Sequence, residues 1–338
     1  MDIKTFSILE AEKIVNIPLR SYQDMQKAAH ALLNLNINSV LLTGGHFEDQ
    51  KFSQDYWTNG QESFWIAARR LPEKNYPTTG TTLSEAINAH LAEGYSLQDA
   101  IVIAKMHRSC ALRGGSQIDQ VDLPYASSEP LFDLPKPFKR CDLGLYPVVD
   151  SSHWIEKLLL QGVKCIQLRI KNKHQPTLEH EIEQSVALAK KFGATLFIND
   201  YWELAIRYGA DGIHLGQEDL LTADLAQIRQ SGLYLGVSTH CYYEVARAHA
   251  VNPSYIACGP IYATTSKDMS FQPQGVEQLK HWRRMLNYPL VAIGGINLER
   301  LPDVLQSGVA GVALISAITE AHDPLEATQQ FLKIMSKH

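Results

Sequence analysis

From residue 143 onward, short apolar runs alternate with amphipathic stretches. The runs fall at 143–149, 165–170, 195–199, 212–215, 234–237, 255–258, 290–293 and 311–315, and each has the length of a buried strand. Helical spacing separates them. At 178–192, Ile182, Val186 and Ala189 share one face and Gly193 supplies the stop. Eight strand–helix units in so short a span predict an α/β fold, a (β/α)8 TIM barrel near the lower end of the usual size. A doubly wound open sheet is the structural rival, but it has no need of an eighth strand.

The N-terminal third is patterned differently. At 23–37, Met25, Ala28, Ala29, Leu32 and Leu33 form a helical stripe, followed by a strand at 39–42 and a turn at Gly44-Gly45-His46. Two weaker strand-like runs precede a hydroxyl-rich stretch, Thr78-Thr79-Gly80-Thr81-Thr82, which leads into helices at 83–91 and 97–112. Such a stretch binds an anion or simply caps a helix. Residues 114–142 carry Pro124, Pro130, Pro135 and Pro137 without apolar periodicity, and read as a linker. The expected organisation is therefore a partial α/β segment at 1–113, a linker at 114–142 and a barrel at 143–338.

Composition narrows the class. The chain is 45% hydrophobic and 20% charged, as ordinary globular proteins are, and its net charge of -5 gives no basic footprint for nucleic acid or membrane. No apolar run approaches membrane-spanning length, and MDIKTFSILEAEKIV is not a secretory signal. Five cysteines without paired spacing read as reduced thiols, so a cytoplasmic location is expected.

The chemistry lies where the expected strands end, because those positions line a barrel's catalytic mouth. Gln167, Arg169 and Lys171 alternate on one face after the second strand. Asn199 and Asp200 follow the third, Gln217 and Asp219 the fourth, and Ser238 the fifth. The sixth runs into a hydroxyl-rich loop, Thr264-Thr265-Ser266, closed by Lys267; the seventh ends in Gly294-Gly295 and the eighth in Ile315-Ser316. Two aspartates facing one space bind a divalent cation or, separately, cap the helices that follow them. With Arg169, Lys171 and Lys267 in the same mouth, Mg2+ bridging the carboxylates to a diphosphate accounts for both signs of charge. The glycines and hydroxyls of the last loops make a seat for a monophosphate, so two phosphorylated substrates are implied.

The runs LYPVVD, IQLRIK, FIND, GIHLGQED, GVSTH, GPIYATTSK, AIGGI and LISAI follow in order those of the thiamin-phosphate synthase (thiamine-phosphate pyrophosphorylase) family, which residues 143–337 resemble. The resemblance implies transfer of a pyrimidinylmethyl group from hydroxymethylpyrimidine diphosphate to the nitrogen of hydroxyethylthiazole phosphate, releasing pyrophosphate by a dissociative route. It implies that Gln167, Leu168, Arg169, Ile170, Lys171, Asn199, Ser238 and Lys267 hold the pyrimidine diphosphate. Thr264, Thr265, Ser266, Gly295, Ile315 and Ser316 would hold the thiazole phosphate, and Asp200 and Asp219 the Mg2+. Ser266 departs from the family's usual Thr but keeps the hydroxyl.

Upstream, SILEAEKIV, VLLTGGH, TTGTTLSEAINAHLAEG and AIVIAK resemble the C-terminal half of hydroxymethylpyrimidine phosphate kinase, a ribokinase-like enzyme, over roughly residues 4–112. That family's Gly-Thr-Gly-Cys turn aligns with Thr78–Thr81, so its first Gly and its Cys are both replaced. A non-catalytic remnant is expected, docked so as to cover its open sheet edge. Competing readings are an inactive pathway scaffold or ligand-binding regulator, residual kinase activity, and a Schiff base at Lys171. His214 reads as a core or supporting histidine, His240 and Cys241 lack metal-ligand spacing, and Trp202 and Tyr208 are spaced for helix packing. A homo-oligomer is compatible with the sequence.

Overall fold

The computed structural model of the chain describes residues 3–45, 47, 51–71, 82–172, 174–264 and 271–337. They form two compact units, one of Met1–Lys136 with Cys241–Asn252, the other of Pro137–His240 with Pro253–His338. Among the described residues, no helix is long and apolar enough to cross a membrane.

The first unit is built on a five-stranded sheet in sequence order, β1 (Lys4–Ser7), β2 (Val40–Thr43), β3 (Phe52–Thr58), β4 (Ser63–Arg69) and β5 (Tyr125–Ser127). Only β1 and β2 are parallel. The two weak runs become a hairpin: the side chain of Asn59 accepts from the N–H groups of Gln61 and Glu62, and Gly60 takes φ +89°. The expected stripe forms the helix Tyr22–Leu33, with Met25, Ala28, Ala29 and Leu32 packed on Val40, Leu42, Tyr56 and Trp65. It stops short of residue 37, and Asn36 adopts φ +64°. Several elements are additional to the sequence expectation. β1 and the helix Ile8–Val15 meet at a capping box between Ser7 and Glu10, and β5 grows out of the stretch expected as a linker. Tyr125 of β5 is buried against Phe52, which explains why proline-rich sequence nonetheless joins a sheet: its aromatic anchor outweighs its poor propensity.

Several buried polar groups in this unit are paired with one another, although Trp65 Nε1 is buried without a hydrogen-bond partner among the described residues. Lys105 Nζ donates to Asp55 Oδ2 at 2.6 Å, with both residues buried, and Gly44 N–H donates to Asp55 Oδ1 at 3.1 Å. Burial pulls the Lys105 ammonium below its ordinary value against the opposing charge of Asp55. In the helix Tyr242–Val251, Tyr243 N–H donates to Asp99 Oδ1 at 2.8 Å, and His249 stacks on Tyr125 with ring centres 4.2 Å apart.

The second unit is a closed, all-parallel barrel of eight strands, β6 (Gly144–Val149), β7 (Cys165–Leu168), β8 (Thr195–Asn199), β9 (Gly212–Leu215), β10 (Tyr234–Thr239), β11 (Tyr255–Cys258), β12 (Leu290–Ile293) and β13 (Gly311–Leu314). Closure is made by β13 against β6, Gly311 opposite Gly144. All eight expected strands are present, four with the expected ends and four with one end shifted by one or two residues. Alternation along each strand sends one set of side chains inward, where Tyr146, Val148, Phe197, Tyr255, Ala257, Val291 and Ala313 form the core. Large rings face small residues there: a Cβ on Gly236 would lie 2.1 Å from the Tyr255 ring.

Candidate active site

Ten of the sixteen site residues expected from the sequence line a single cavity: Gln167, Arg169, Asn199, Asp200, Asp219, Ser238, Thr264, Gly295, Ile315 and Ser316. They come from the C-terminal ends of seven strands or the turns that follow them. Leu168 and Ile170 are buried but absent from the cavity wall, because alternation along β7 turns them to the opposite face from Gln167 and Arg169. Lys171 is exposed and does not line the cavity either, so its roles as diphosphate ligand and as Schiff-base lysine both lack that placement. Thr265, Ser266 and Lys267 lie outside the described residues.

The two aspartates reach the cavity by different local devices. Asp200 follows β8 with φ +65°, a left-handed conformation that short polar side chains tolerate, and its N–H donates to the His214 carbonyl at 3.0 Å. Asp219 sits in the first turn of the helix Gln217–Thr222. A Cβ on Gly216 would stand 3.3 Å from Asp219 Oδ2, so glycine leaves that carboxylate its space. Both charges act on one group. The Tyr201 hydroxyl, which donates to the Ile170 carbonyl at 2.9 Å, is pushed up first by burial and then by Asp200 and Asp219. Among the described residues there is no group of three His, Cys, Asp or Glu side chains able to hold a metal. The two carboxylates line one cavity.

Across the cavity, Gly294 and Gly295 take φ +98° and +63° after β12. A Cβ on Gly295 would fall 2.5 Å from the Ala263 carbonyl oxygen, so the sixth and seventh loops approach as closely as they do only because that residue is glycine. Arg300 braces the turn: its Nη1 donates to the Gly295 carbonyl at 2.7 Å and its guanidinium lies over the Tyr262 ring at 4.6 Å.

A polar chain crosses the barrel interior, with Tyr146 and His214 on the cavity wall and Tyr255 behind it. Gln167 Nε2 donates to Tyr146 Oη at 2.8 Å, and Tyr146 Oη lies 2.8 Å from Tyr255 Oη. Tyr255 Oη is 2.7 Å from His214 Nδ1, and His214 Nε2 is 2.7 Å from Ser238 Oγ. Burial drives both phenols well above their ordinary values, so each keeps its proton. Sequence reasoning passed over Tyr146 and Tyr255. The available signal was a tyrosine on the inward-facing register of a core strand, where its hydroxyl demands a partner. His240 also lines the cavity, stacked on Phe271 at 4.7 Å.

The thiamine monophosphate synthase family matches residues 145–318, and the phosphomethylpyrimidine kinase family matches residues 1–126. A thiamine-phosphate synthase of Enterobacter sp. (strain 638) is 55% identical over 201 residues, which are 59% of this chain and 94% of that protein. One from Photorhabdus laumondii is 56% identical over 196 residues, 57% of this chain and 90% of the relative. The solved thiamine phosphate pyrophosphorylase of Pyrococcus furiosus superposes with a TM-score of 0.52 at 29% identity, covering 58% of this chain and 96% of its own. With eight strands closed around that cavity and a family match over more than half of its length, the chain belongs to the thiamine monophosphate synthase family.

Proposed function

We propose that the barrel module, 143–338, makes thiamin phosphate by joining hydroxymethylpyrimidine diphosphate to hydroxyethylthiazole phosphate with release of pyrophosphate. The observation that carries this reading is the sharing of one cavity by two anion-handling regions, Arg169 with Asp200 and Asp219, and Gly295 with Thr264 and Ser316. Gln167, Asn199 and Ser238 orient the pyrimidine between them. In the step itself, the bond between the pyrimidinylmethyl carbon and the diphosphate oxygen breaks and its electron pair leaves with pyrophosphate. The thiazole nitrogen then donates its lone pair to the same carbon. An aminopyrimidine spreads the intervening positive charge onto its exocyclic nitrogen, so the barrier falls chiefly with stabilisation of the leaving group. Arg169 supplies part of that charge, and Lys267 is the second cation that the sequence assigns to the leaving group. A walled cavity protects the cation from water, and the phosphate seat fixes where the acceptor nitrogen waits.

Asp200 and Asp219, two carboxylates lining one cavity, would hold a hard divalent cation such as Mg2+. When bound, Mg2+ neutralises charge on the departing pyrophosphate. The N-terminal segment is non-catalytic on this reading, because Thr81 stands where a kinase of that kind has cysteine and offers no thiolate. The test mixes both phosphorylated substrates and Mg2+ with the full chain. Thiamin phosphate and pyrophosphate are expected in equal amounts, and failure to form either would refute the reading. ATP with hydroxymethylpyrimidine phosphate is expected to yield no ADP; steady ADP release would overturn the non-catalytic assignment.

A further inference from the structure

We infer that Tyr146, Tyr255 and His214 form a proton-ordered relay that makes Ser238 a hydrogen-bond donor, and Gln167 an acceptor, toward the pyrimidine. This inference rests on the synthase reading and goes beyond it, to what selects the pyrimidine. Each phenol has one proton and each neutral imidazole one N–H, so a buried chain of them has a direction. Gln167 donates its amide N–H to Tyr146 Oη. If Tyr255 donated to Tyr146 as well, the Tyr146 proton would be buried with no partner among these contacts, a costly arrangement. Tyr146 therefore donates to Tyr255, and Tyr255 donates to His214 Nδ1. The imidazole proton then sits on Nε2 and is given to Ser238 Oγ at 2.7 Å. That satisfies the acceptor side of the serine and leaves its own proton for the cavity it lines. At the other end, Gln167 has its N–H engaged with Tyr146 and presents its carbonyl oxygen as acceptor.

The resulting pair complements an aminopyrimidine, whose exocyclic amine donates and whose ring nitrogen accepts. It mismatches a ring bearing an oxo group in place of the amine. Tyr255 is the informative member, because it does not line the cavity and can influence the ligand only through the relay. It is a positioning residue.

Two measurements on the full chain test this. Imidazole 15N shifts of the ligand-free protein are expected to report His214 protonated at Nε2 and bare at Nδ1; the opposite tautomer would overturn the relay whether or not the synthase reading stands. Tyr255→Phe keeps the ring and deletes only the hydroxyl. It is expected to raise KM for the pyrimidine diphosphate about tenfold, as loss of one buried hydrogen bond does, while KM for the thiazole phosphate stays as in the unaltered chain. A purely structural role would move both KM values together, and that result, like an unchanged pyrimidine KM, contradicts the proposal. Combined with Ser238→Ala, Tyr255→Phe should add little further loss, since both remove the same donor; full additivity would also overturn it. Absence of thiamin phosphate from the unaltered chain would sink the synthase reading instead, and the tautomer measurement separates the two failures.

Discussion

The two units bury polar side chains to opposite ends. In the first, Lys105, Asp55 and the Gly44 N–H close on one another inside the core. In the barrel, the chain from Gln167 to Ser238 is equally buried along its middle but ends, on both sides, at residues of the cavity wall. Charge follows the same division. The buried ion pair of the first unit neutralises itself, whereas Asp200 and Asp219 share a cavity and both load the Tyr201 hydroxyl with negative potential. Burial alone therefore does not mark a functional polar group. Hydrogen-bonding capacity that the fold leaves facing a cavity does.

Mutations can break this contrast in graded ways. The largest expected effect is on stability. Asp55→Ala strands the Lys105 ammonium in the core and should cost about 3–5 kcal/mol in denaturant unfolding, without altering KM for either substrate in the folded fraction. A KM change would mean that the first unit's polar core serves the chemistry. Next, Asp219→Asn should lower kcat/KM at limiting Mg2+ on the order of a hundredfold, as loss of a stabilising group at a leaving oxyanion does. Unchanged activity under those conditions would show that the carboxylate pair is not the metal site. Ser316→Glu places an anion in the phosphate seat. It should raise KM for the thiazole phosphate about tenfold, equivalent to about 1.4 kcal/mol, and leave the pyrimidine diphosphate alone; an equal loss for both substrates would misplace the seat.

A separate test lies in acid stability. Burial, with a smaller contribution from the charge of Arg69, pulls His249 down to about 3, far below an unfolded histidine near 6.5. Between those values the unfolded chain binds a proton that the folded one refuses. The contribution of His249 is therefore intact above about pH 6.5 and is lost progressively as pH falls toward about 3. In thermal melts, His249→Gln should show a shallower loss of Tm across that window than the unaltered chain; parallel curves would mean that His249 titrates normally.

Much of the barrel was legible because its strands are short, doubly buried apolar runs ending in polar or glycine-rich turns, a pattern that needs no long-range information. The same regularity exposed Asp200, Asp219, Gly295 and Ser316, each in the turn or first helical turn that follows a strand. Leu168 and Ile170 fell into the expected ligand set through adjacency alone, and the two-residue period of β7 sends them outward. β5 was hidden by proline-rich flanks, since what holds Tyr125 in the sheet is its packing on Phe52 and His249, a contact between distant segments. Tyr146 and Tyr255 were hidden for a related reason. A tyrosine in an apolar strand looks like core until its hydroxyl partners, 21 and 109 residues away from Tyr146, are brought beside it.

The most direct test of the central claim, that carboxylates from two separate strand ends converge on a metal-bound leaving group, is electron paramagnetic resonance of Mn2+ added to the full chain with pyrophosphate. Mn2+ shares the oxygen-ligand preference of Mg2+. A bound-ion signal is predicted that Asp200→Asn and Asp219→Asn each weaken and that Asp55→Ala leaves intact. A bound signal indifferent to both active-site substitutions would contradict the account.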